Sequence, residues 1–535
     1  MEDNVKKNPN ERSYCFPWNK YDQPIYVSPS PGVMPVMAIG TPWIDNGTYS
    51  LSTLKVLKGL GVTYVQDTLR SPKKRISQKT EKSNPLHRVS NKELLTELLE
   101  NAHQAGVRAM VRVGGTSGFQ NPETEEGKLA GMEKWLKDVY LPLVSLSYNE
   151  EATAGWMILD TPSEILFSIL NKAQSEIEKV DAWRHIVYNN LKSAKSFERM
   201  WGKEGDDQTW RKYDIPSVDD TINPSLPAQL QPEYKKYIAK AIKELKPSVL
   251  SSAFYAFDNH FVKAEYRSGF FQNLDIYRRL SYMIQRPFWG YVFGCFEAPE
   301  GKDMNEYLDK MLACYRFEAY CALAFGAQGM CWWRVVADTN SVYEKDPITG
   351  ESIEVGYQDK IDVKECSVWQ PLSQMGTKTS LGDKMKDVNT QIQKASDVFL
   401  GCSVDECRFS GKLTISHPKN GGVYDPFKYF KSGKDAMPFG PLVSLISPNS
   451  GQYNRYFLMS LLTNNGKTFM VFVSTDIRDL PTAGIKTTTQ SARVTFTCKM
   501  KRLAIGSQSS EIILEKNVPY DFSLRFGDWA IFEVM

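Results

Sequence analysis

The sequence predicts a (β/α)8 barrel followed by a small antiparallel β-sandwich. Eight short apolar runs alternate with longer amphipathic segments between residues 35 and 336, and the pattern changes to short strands and turns after residue 400. At 535 residues the chain is also too long for one ordinary domain. We expect an N-terminal extension at 1–34, a barrel at 35–400 and a C-terminal sandwich at 401–535.

Each predicted barrel strand is a short apolar run. The eight runs are Val36–Gly40, Val62–Gln66, Val107–Val113, Gly155–Leu159, His185–Tyr188, Val249–Tyr255, Phe288–Phe293 and Gly329–Trp333. Eight βα units is the number that closes a barrel of parallel strands. The intervening segments indicate helices, because Thr53–Gly61 ends in a glycine stop and Asn91–Ala105 repeats apolar residues every three or four positions.

The pattern after the barrel predicts one helix and then a sandwich. Residues 381–400 keep apolar positions at helical spacing, which favours a helix packed on the barrel. Strands are predicted at 457–462, 468–473, 493–497 and 529–534. The Asn464–Lys467 turn between the first two is a hairpin signal. Several short strands with such turns are typical of a β-sandwich.

Composition indicates a globular protein without a preference for nucleic acid. The chain is 42% hydrophobic, and its 65 basic residues are balanced by 62 acidic ones, for a net charge of +3. The nine cysteines are odd in number and have no CxxC spacing, so we expect buried thiols and neither a metal site nor a disulfide framework. No cofactor motif is present, and we expect no cofactor.

Targeting signals are absent from the sequence pattern. The first 20 residues lack the apolar core of a signal peptide, so we expect a cytoplasmic protein or a secreted one whose signal has been removed. No run of about 18 apolar residues predicts a membrane span. The sequence leaves the oligomeric state open.

Four motifs resemble the β-galactosidase-like clan (clan A) of retaining glycoside hydrolases, and barrel proteins of polysaccharide-degrading gut bacteria in particular. They are Met37–Gly40, Gly155–Pro162, Pro287–Val292 and Arg316–Met330, of which the last is the most specific. The resemblance covers about residues 33–400. It implies carbohydrate as the ligand and two glutamates as catalytic groups, a proton donor ending the fourth strand and a nucleophile ending the seventh, about 5 to 5.5 Å apart.

This sequence matches the clan's catalytic pattern unevenly. The resemblance makes Glu297 the candidate nucleophile, with an ordinary surface-loop glutamate as the alternative. Thr161 stands where the proton donor is expected, which leaves Asp160, or the more distant Glu164, as a substitute. Asp160 also suits the cap of the following helix. A second departure is Ala253, where relatives tend to have an aspartate on the sixth strand.

Aromatic and polar residues near the ends of the predicted strands are candidates for substrate binding, because flat rings suit the C–H faces of sugars and polar groups suit their hydroxyls. These candidates are Trp43, Arg112, Tyr255, Asp258, His260, Trp332, Trp333 and Arg334. Since side chains alternate along a strand, only one of Trp332 and Trp333 can face the barrel interior. Core packing is the alternative for each tryptophan, and an ordinary solvated side chain is the alternative for His260.

The sequence therefore predicts a glycoside hydrolase-like protein that acts on carbohydrate, by a retaining mechanism if it is active. The alternative is a carbohydrate-binding or structural protein, phage- or surface-associated for example, that kept the barrel and lost catalysis. The departures at Thr161 and Ala253 favour this alternative.

Overall fold

The computed structural model of the protein describes residues 32–40, 50–69, 91–113, 124–181, 185–193, 232–257, 270–284, 286–297, 301–336, 340–345, 352–358, 368–373, 376–409, 442–448, 457–475 and 489–535. The first strands in chain order are β1 Val36–Ile39, β2 Tyr64–Leu69, β3 Arg108–Val113, β4 Thr153–Asp160, β5 Ile186–Asn190, β6 Leu250–Ser251, β7 Phe288–Phe293, β8 Phe296–Glu297 and β9 Met330–Trp333. All except the two-residue β8 belong to one parallel sheet, and the bounds of its strands are close to those of the predicted runs.

The parallel sheet closes on itself. Its strand order is β5-β4-β3-β2-β1-β9-β7-β6, so β5 and β6 are the two edges. Directly after β5, the Leu191 N–H donates to the Ser251 carbonyl of β6 at 2.9 Å, and Leu191 pairs with Ser252 in parallel. These contacts join the edges, and the predicted eight-stranded barrel is confirmed.

Helices cover the outside of the barrel. They are α1 Leu51–Gly59, α2 Asn91–Ala105, α3 Glu125–Trp135, α4 Leu141–Ser147, α5 Phe167–Val180, α6 Pro232–Lys240, α7 Phe270–Ile284, α8 Leu308–Ala324, α9 Ser380–Lys394 and α10 Ser396–Phe399. The π-helical turn Leu136–Tyr140 joins α3 to α4, and a second one, Ala241–Leu245, extends α6. Hydroxyl caps start three of these described helices: Ser50 accepts from Thr53 N at α1, Thr124 from Gly127 N at α3 and Thr379 from Gly382 N at α9.

Strand alternation divides the barrel core into two layers. Outward residues such as Val36, Val65 and Trp156 pack under the helices. Inward residues, among them Tyr64 and Trp289, fill the interior as a separate cluster. The barrel is therefore a packed core whose open positions lie at its ends, as in other barrels of this size.

Antiparallel strands follow the barrel. They are β10 Asn340–Lys345, β11 Ser352–Gln358, β12 Val368–Trp369, β13 Ser403–Phe409, β14 Val443–Pro448, β15 Phe457–Asn464, β16 Lys467–Ser474, β17 Thr489–Phe496, β18 Met500–Arg502, β19 Ile512–Leu514, β20 Pro519–Arg525 and β21 Trp529–Val534. A six-stranded sheet (β13-β15-β16-β21-β18-β19) and a three-stranded sheet (β14-β17-β20) enclose one apolar core. The predicted C-terminal β-sandwich is confirmed.

Aromatic stacking fixes the sandwich to helix α8. The rings of Tyr320 and Trp529 stack with centroids 3.8 Å apart, and those of Phe317 and Phe526 stack at 4.9 Å. Within the described part of the chain, no helix is both long and apolar enough to cross a membrane. The domain boundaries drawn after residues 34 and 400 stay predictions.

Candidate functional site

The carboxyl ends of the barrel strands meet at one end of the barrel, here called the mouth, where barrel enzymes place their chemistry. Tyr188, Tyr291 and Cys331 belong to the inward-facing cluster, and Tyr255 and Trp333 are partly buried against it. The mouth therefore has an aromatic floor, to which the strand ends add polar side chains.

Asp160, the last residue of β4, points inward because β4 contains a bulge. Met157 pairs with Tyr188 and Asp160 pairs with Asn190, so three steps along β4 match two steps along β5. An extra residue of this kind re-aims the side chains beyond it, and such bulges are frequent beside active sites. The shift brings the half-buried Asp160 to the same side of the sheet as Asn190 and Tyr188.

Asn190 holds the end of β4 through two hydrogen bonds. Its side-chain Nδ2 donates to Asp160 Oδ1 at 2.9 Å, and its carbonyl accepts from the Thr161 N–H at 2.8 Å. Thr161 has φ +45°, a left-handed conformation that is costly for a β-branched residue and that concentrates at functional sites. The Thr161 side chain is exposed.

Asp160 does not cap the helix that follows β4. The 3₁₀ turn Glu164–Leu166 has Ser163 at its N-cap position, and α5 has Leu166 there, in both cases without a side-chain capping bond. The helix-cap interpretation of Asp160 is wrong, because the helical segment begins too far along the chain for its carboxylate.

A chain of hydrogen bonds continues from Asn190 into the barrel. Ser251 Oγ lies 3.0 Å from Asn190 Oδ1 and 2.8 Å from the Tyr188 hydroxyl, which lies 2.6 Å from the Tyr291 hydroxyl. Burial raises the pKa of Tyr188 and of Tyr291 well above its usual value, and the charge of Asp160 contributes to both shifts. Both phenols therefore stay protonated at neutral pH.

Tyr255 lies in the same electrostatic environment. Burial raises its pKa well above the ordinary value, and the charges of Asp160 and Glu318 raise it further. Tyr255 packs edge-on against Phe293, with ring centroids 4.9 Å apart. The protonated phenol is thus a hydrogen-bond donor in the neighbourhood of Asp160.

The two tryptophans of β9 face opposite sides. Trp333 belongs to the inward cluster and is partly exposed, with Arg334 Cζ 5.1 Å from its ring centroid, in the range of a cation–π contact. Trp332 is fully buried on the outer face, and its Nε1 donates to Asn389 Oδ1 of α9 at 2.9 Å. The binding role expected of Trp332 is therefore corrected to core packing.

Two further inward positions carry polar side chains. Arg112 of β3 has the same parity as the inward Met110 and is half-buried. Gln66 of β2 is 4% exposed, and its Oε1 has no hydrogen-bond partner in the described part of the chain. Sequence reasoning missed Gln66, although a polar residue at an inward strand position was its signal.

Glu318 of α8 fixes two strand ends at the mouth. This buried carboxylate accepts from Ala256 N at 2.7 Å and from Phe293 N at 2.7 Å. It thereby joins the segment after β6, which carries Tyr255, to the end of β7. The resemblance motif Arg316–Met330 contains Glu318, but its spacing gave no sign of this contact.

Several sequence candidates are not placed by the structure. Trp43, Asp258 and His260 lie outside the described residues. The backbone of Glu297 lies in β8, which pairs antiparallel with β12 through Val368, and its side chain is outside the described part. The candidates that the structure does place at the mouth are Asp160, Arg112, Tyr255, Trp333 and Arg334.

Comparison with known proteins gives likenesses of fold only. No protein-family model and no curated protein matches the chain. A solved family 39 glycoside hydrolase from Bacteroides cellulosilyticus WH2 is similar at 11% identity and TM-score 0.45, over 94% of this chain and 82% of that one. An endo-β-1,4-mannanase from Thermotoga petrophila is similar at 10% identity and TM-score 0.38, over 92% and 97% respectively.

A family 5 mannosidase from Rhizomucor miehei is also similar, at 11% identity and TM-score 0.40, over 72% of this chain and 99% of that one. The barrel itself is shown by this chain's own strand order, and whether the protein has an activity must be argued from its own residues.

Proposed function

We propose that the protein acts on carbohydrate at the barrel mouth as a retaining glycoside hydrolase, with Asp160 as proton donor and Glu297 as nucleophile. The observation that carries the proposal is the bulge in β4, which turns the Asp160 carboxylate inward. A half-buried carboxylate fixed by one hydrogen bond is a suitable proton donor to a leaving glycosidic oxygen.

The other groups at the mouth supply binding. The partly exposed Trp333 ring offers a face to the C–H groups of a sugar, and Arg334 and Arg112 offer donors to its hydroxyls. Tyr255 offers a protonated phenol whose pKa the charge of Asp160 helps to raise. The sequence candidates Trp43, Asp258 and His260 complete the proposed binding set.

Hydrolysis by matched variants tests this proposal. We would assay wild type, Asp160→Asn, Glu297→Gln and the control Glu150→Gln, an exposed residue at the opposite end of the barrel, on aryl glycosides and oligosaccharides. Loss of one catalytic carboxylate should lower kcat at least about 100-fold, as expected when a general acid or nucleophile is removed. Turnover that both variants retain would refute the assigned roles.

The stereochemistry of the product tests the retaining mechanism. Retention requires the two carboxyl groups to lie about 5 to 5.5 Å apart, whereas inversion requires about 6.5 to 9.5 Å. NMR of the first-formed anomer distinguishes the two directly. An inverted product would contradict the nucleophilic role of Glu297 while leaving Asp160 as a general acid.

A second candidate function is carbohydrate binding without hydrolysis. It is favoured by Thr161, whose exposed side chain stands where the resemblance places the proton-donating glutamate. Binding would then depend on Trp333, whereas a variant of Tyr148, at the opposite end of the barrel, would bind normally. If the wild-type protein shows no turnover, affinity electrophoresis of wild type, Trp333→Ala and Tyr148→Ala on immobilised polysaccharides tests this function. Binding by wild type and Tyr148→Ala that Trp333→Ala loses would establish it.

A further inference from the structure

Asn190 is a buried asparagine that contacts two other chain segments at once. It is 2% exposed. Its Nδ2 donates to Asp160, its Oδ1 accepts from Ser251, and its carbonyl accepts from the Thr161 N–H. The side chain of Asn190 thus connects the end of β4 to β6, while its backbone holds the residue after β4.

The direction of these hydrogen bonds follows from proton counting. Asp160 Oδ1 accepts from Asn190 and Ser251 donates to Asn190, so the Asn190 amide turns its Nδ2 toward Asp160 and its Oδ1 toward Ser251. Ser251 has one hydroxyl proton, and it goes to Asn190 Oδ1. The 2.8 Å contact with Tyr188 is then one in which the phenol donates, and Tyr291 in turn donates to Tyr188.

The chain of donors therefore runs in one direction, from the barrel interior toward Asp160. Since burial keeps Tyr188 and Tyr291 protonated, this direction does not reverse at neutral pH. The amide of Asn190 has one favoured orientation, and an amide fixed in this way fixes the carboxylate that it contacts.

The two oxygens of Asp160 differ as a result. Oδ1 is held by Asn190, whereas Oδ2 makes no hydrogen bond within the described part of the chain. Asp160 is half-buried at the mouth, so one of its oxygens is fixed and the other is available.

We propose that Asn190 is a positioning residue: its amide, oriented by Ser251 and Tyr188, holds Asp160 Oδ1 so that Oδ2 meets the glycosidic oxygen or a hydroxyl of a bound sugar. This inference rests on the proposed function of the mouth. It assigns Asn190 no contact with substrate and makes its effect dependent on Asp160.

A double-mutant cycle in the full-length protein tests this dependence. Asn190→Ala should lower kcat by about 10- to 100-fold, the cost of a misplaced catalytic group, with KM changed less than about twofold. In an Asp160→Asn background, Asn190→Ala should lower kcat less than about twofold further. The control Asn389→Ala removes another buried asparagine, one that bonds Trp332 and Leu60 outside the mouth, and should leave kcat unchanged.

Crystal structures of wild type and Asn190→Ala separate failure of this inference from failure of the proposed function. The Asp160 carboxylate should change rotamer in the variant, while Thr161 stays in place because its bond is to the backbone of residue 190. An unmoved carboxylate overturns the inference, as does an equal loss of kcat in both Asp160 backgrounds. If wild type has no turnover, hydrolysis fails, and the movement of Asp160 alone decides the positioning role.

Discussion

Trp156→Ala should destabilise the barrel far more than Asp160→Asn, although both residues belong to β4. Trp156 is fully buried on the outer face, with edge-on ring contacts to Tyr140 and His185 at centroid distances of 6.4 Å each. Its Nε1 also donates to Asp181 Oδ2 at 2.8 Å. Asp160, in contrast, is half-buried and has a single side-chain hydrogen bond within the described residues.

The structure separates the free-energy cost of Trp156→Ala into two parts. Truncating a buried tryptophan costs about 3 to 5 kcal/mol of unfolding free energy through lost contacts and the cavity left behind. Losing a hydrogen bond to a carboxylate costs about 1.5 to 3 kcal/mol, so the total should lie at or above the upper end of the first range. Trp156→Phe keeps most of the ring and should show mainly the hydrogen-bond cost. Asp160→Asn keeps an oxygen that accepts and should cost less than about 1 kcal/mol.

Urea unfolding of the three variants and wild type, followed by tryptophan fluorescence and circular dichroism, measures these costs. The expected order of unfolding midpoints is Asp160→Asn highest, then Trp156→Phe, then Trp156→Ala, with equal slopes. Equal midpoint shifts for Trp156→Ala and Asp160→Asn would refute the assignment of Trp156 to the packed outer face of β4.

Three more outcomes are expected. Gln66→Leu removes a buried oxygen that has no hydrogen-bond partner in the described structure, so it should raise the unfolding midpoint and weaken sugar binding. An unchanged sugar affinity, measured by calorimetry, would exclude Gln66 from the site. Gly294→Ala would place a Cβ 2.0 Å from the Arg334 carbonyl oxygen, so thermal unfolding should show a clear loss of stability, and a wild-type midpoint would contradict this close approach. Burial opposes the charge of Asp181, but hydrogen bonds from His185 and Trp156 prevail and hold its pKa below the usual range. This contribution to stability is complete above the unfolded-state pKa of about 4 and is lost as pH falls through the lower folded-state pKa. In urea unfolding measured over a pH series, Asp181→Asn should therefore show a smaller fall of the midpoint at acid pH than wild type does.

The barrel could be predicted because the sequence patterns that indicate its helices, strands and turns each span only a few residues. The helix predicted at Asn91–Ala105 and the strand predicted at Phe288–Phe293 have the same bounds in the structure. The hairpin signal was also sound, since Asn465 and Gly466 have φ +48° and +75°, the left-handed pair that a type I′ turn requires. Periodicity, glycine stops and turn residues each act over a few positions, so a single sequence records them.

The geometry of the mouth was less predictable because it depends on which of the alternating side chains of each strand face inward. Alternation showed that one of Trp332 and Trp333 faces inward, but not which one. That choice follows from pairing, since Trp332 is in register with the outward Ala38 and Trp333 with the inward Ile39. Asn190 escaped notice for a similar reason, because the predicted fifth strand ended at Tyr188 and an asparagine after a strand is usually part of a turn.

The bulge in β4 explains why the catalytic assignment depends on tertiary structure. In a regular strand, Asp160, three residues after the inward Met157, would point outward. The end of β5 supports the bulge from both faces, since Asn189 Oδ1 accepts from the Leu159 N–H at 3.2 Å while Asn190 holds Asp160. Two adjacent asparagines therefore fix one strand end from opposite sides. Their effect on Asp160 becomes visible only when β4 and β5 are paired, because neither strand alone determines on which side of the sheet the carboxylate lies.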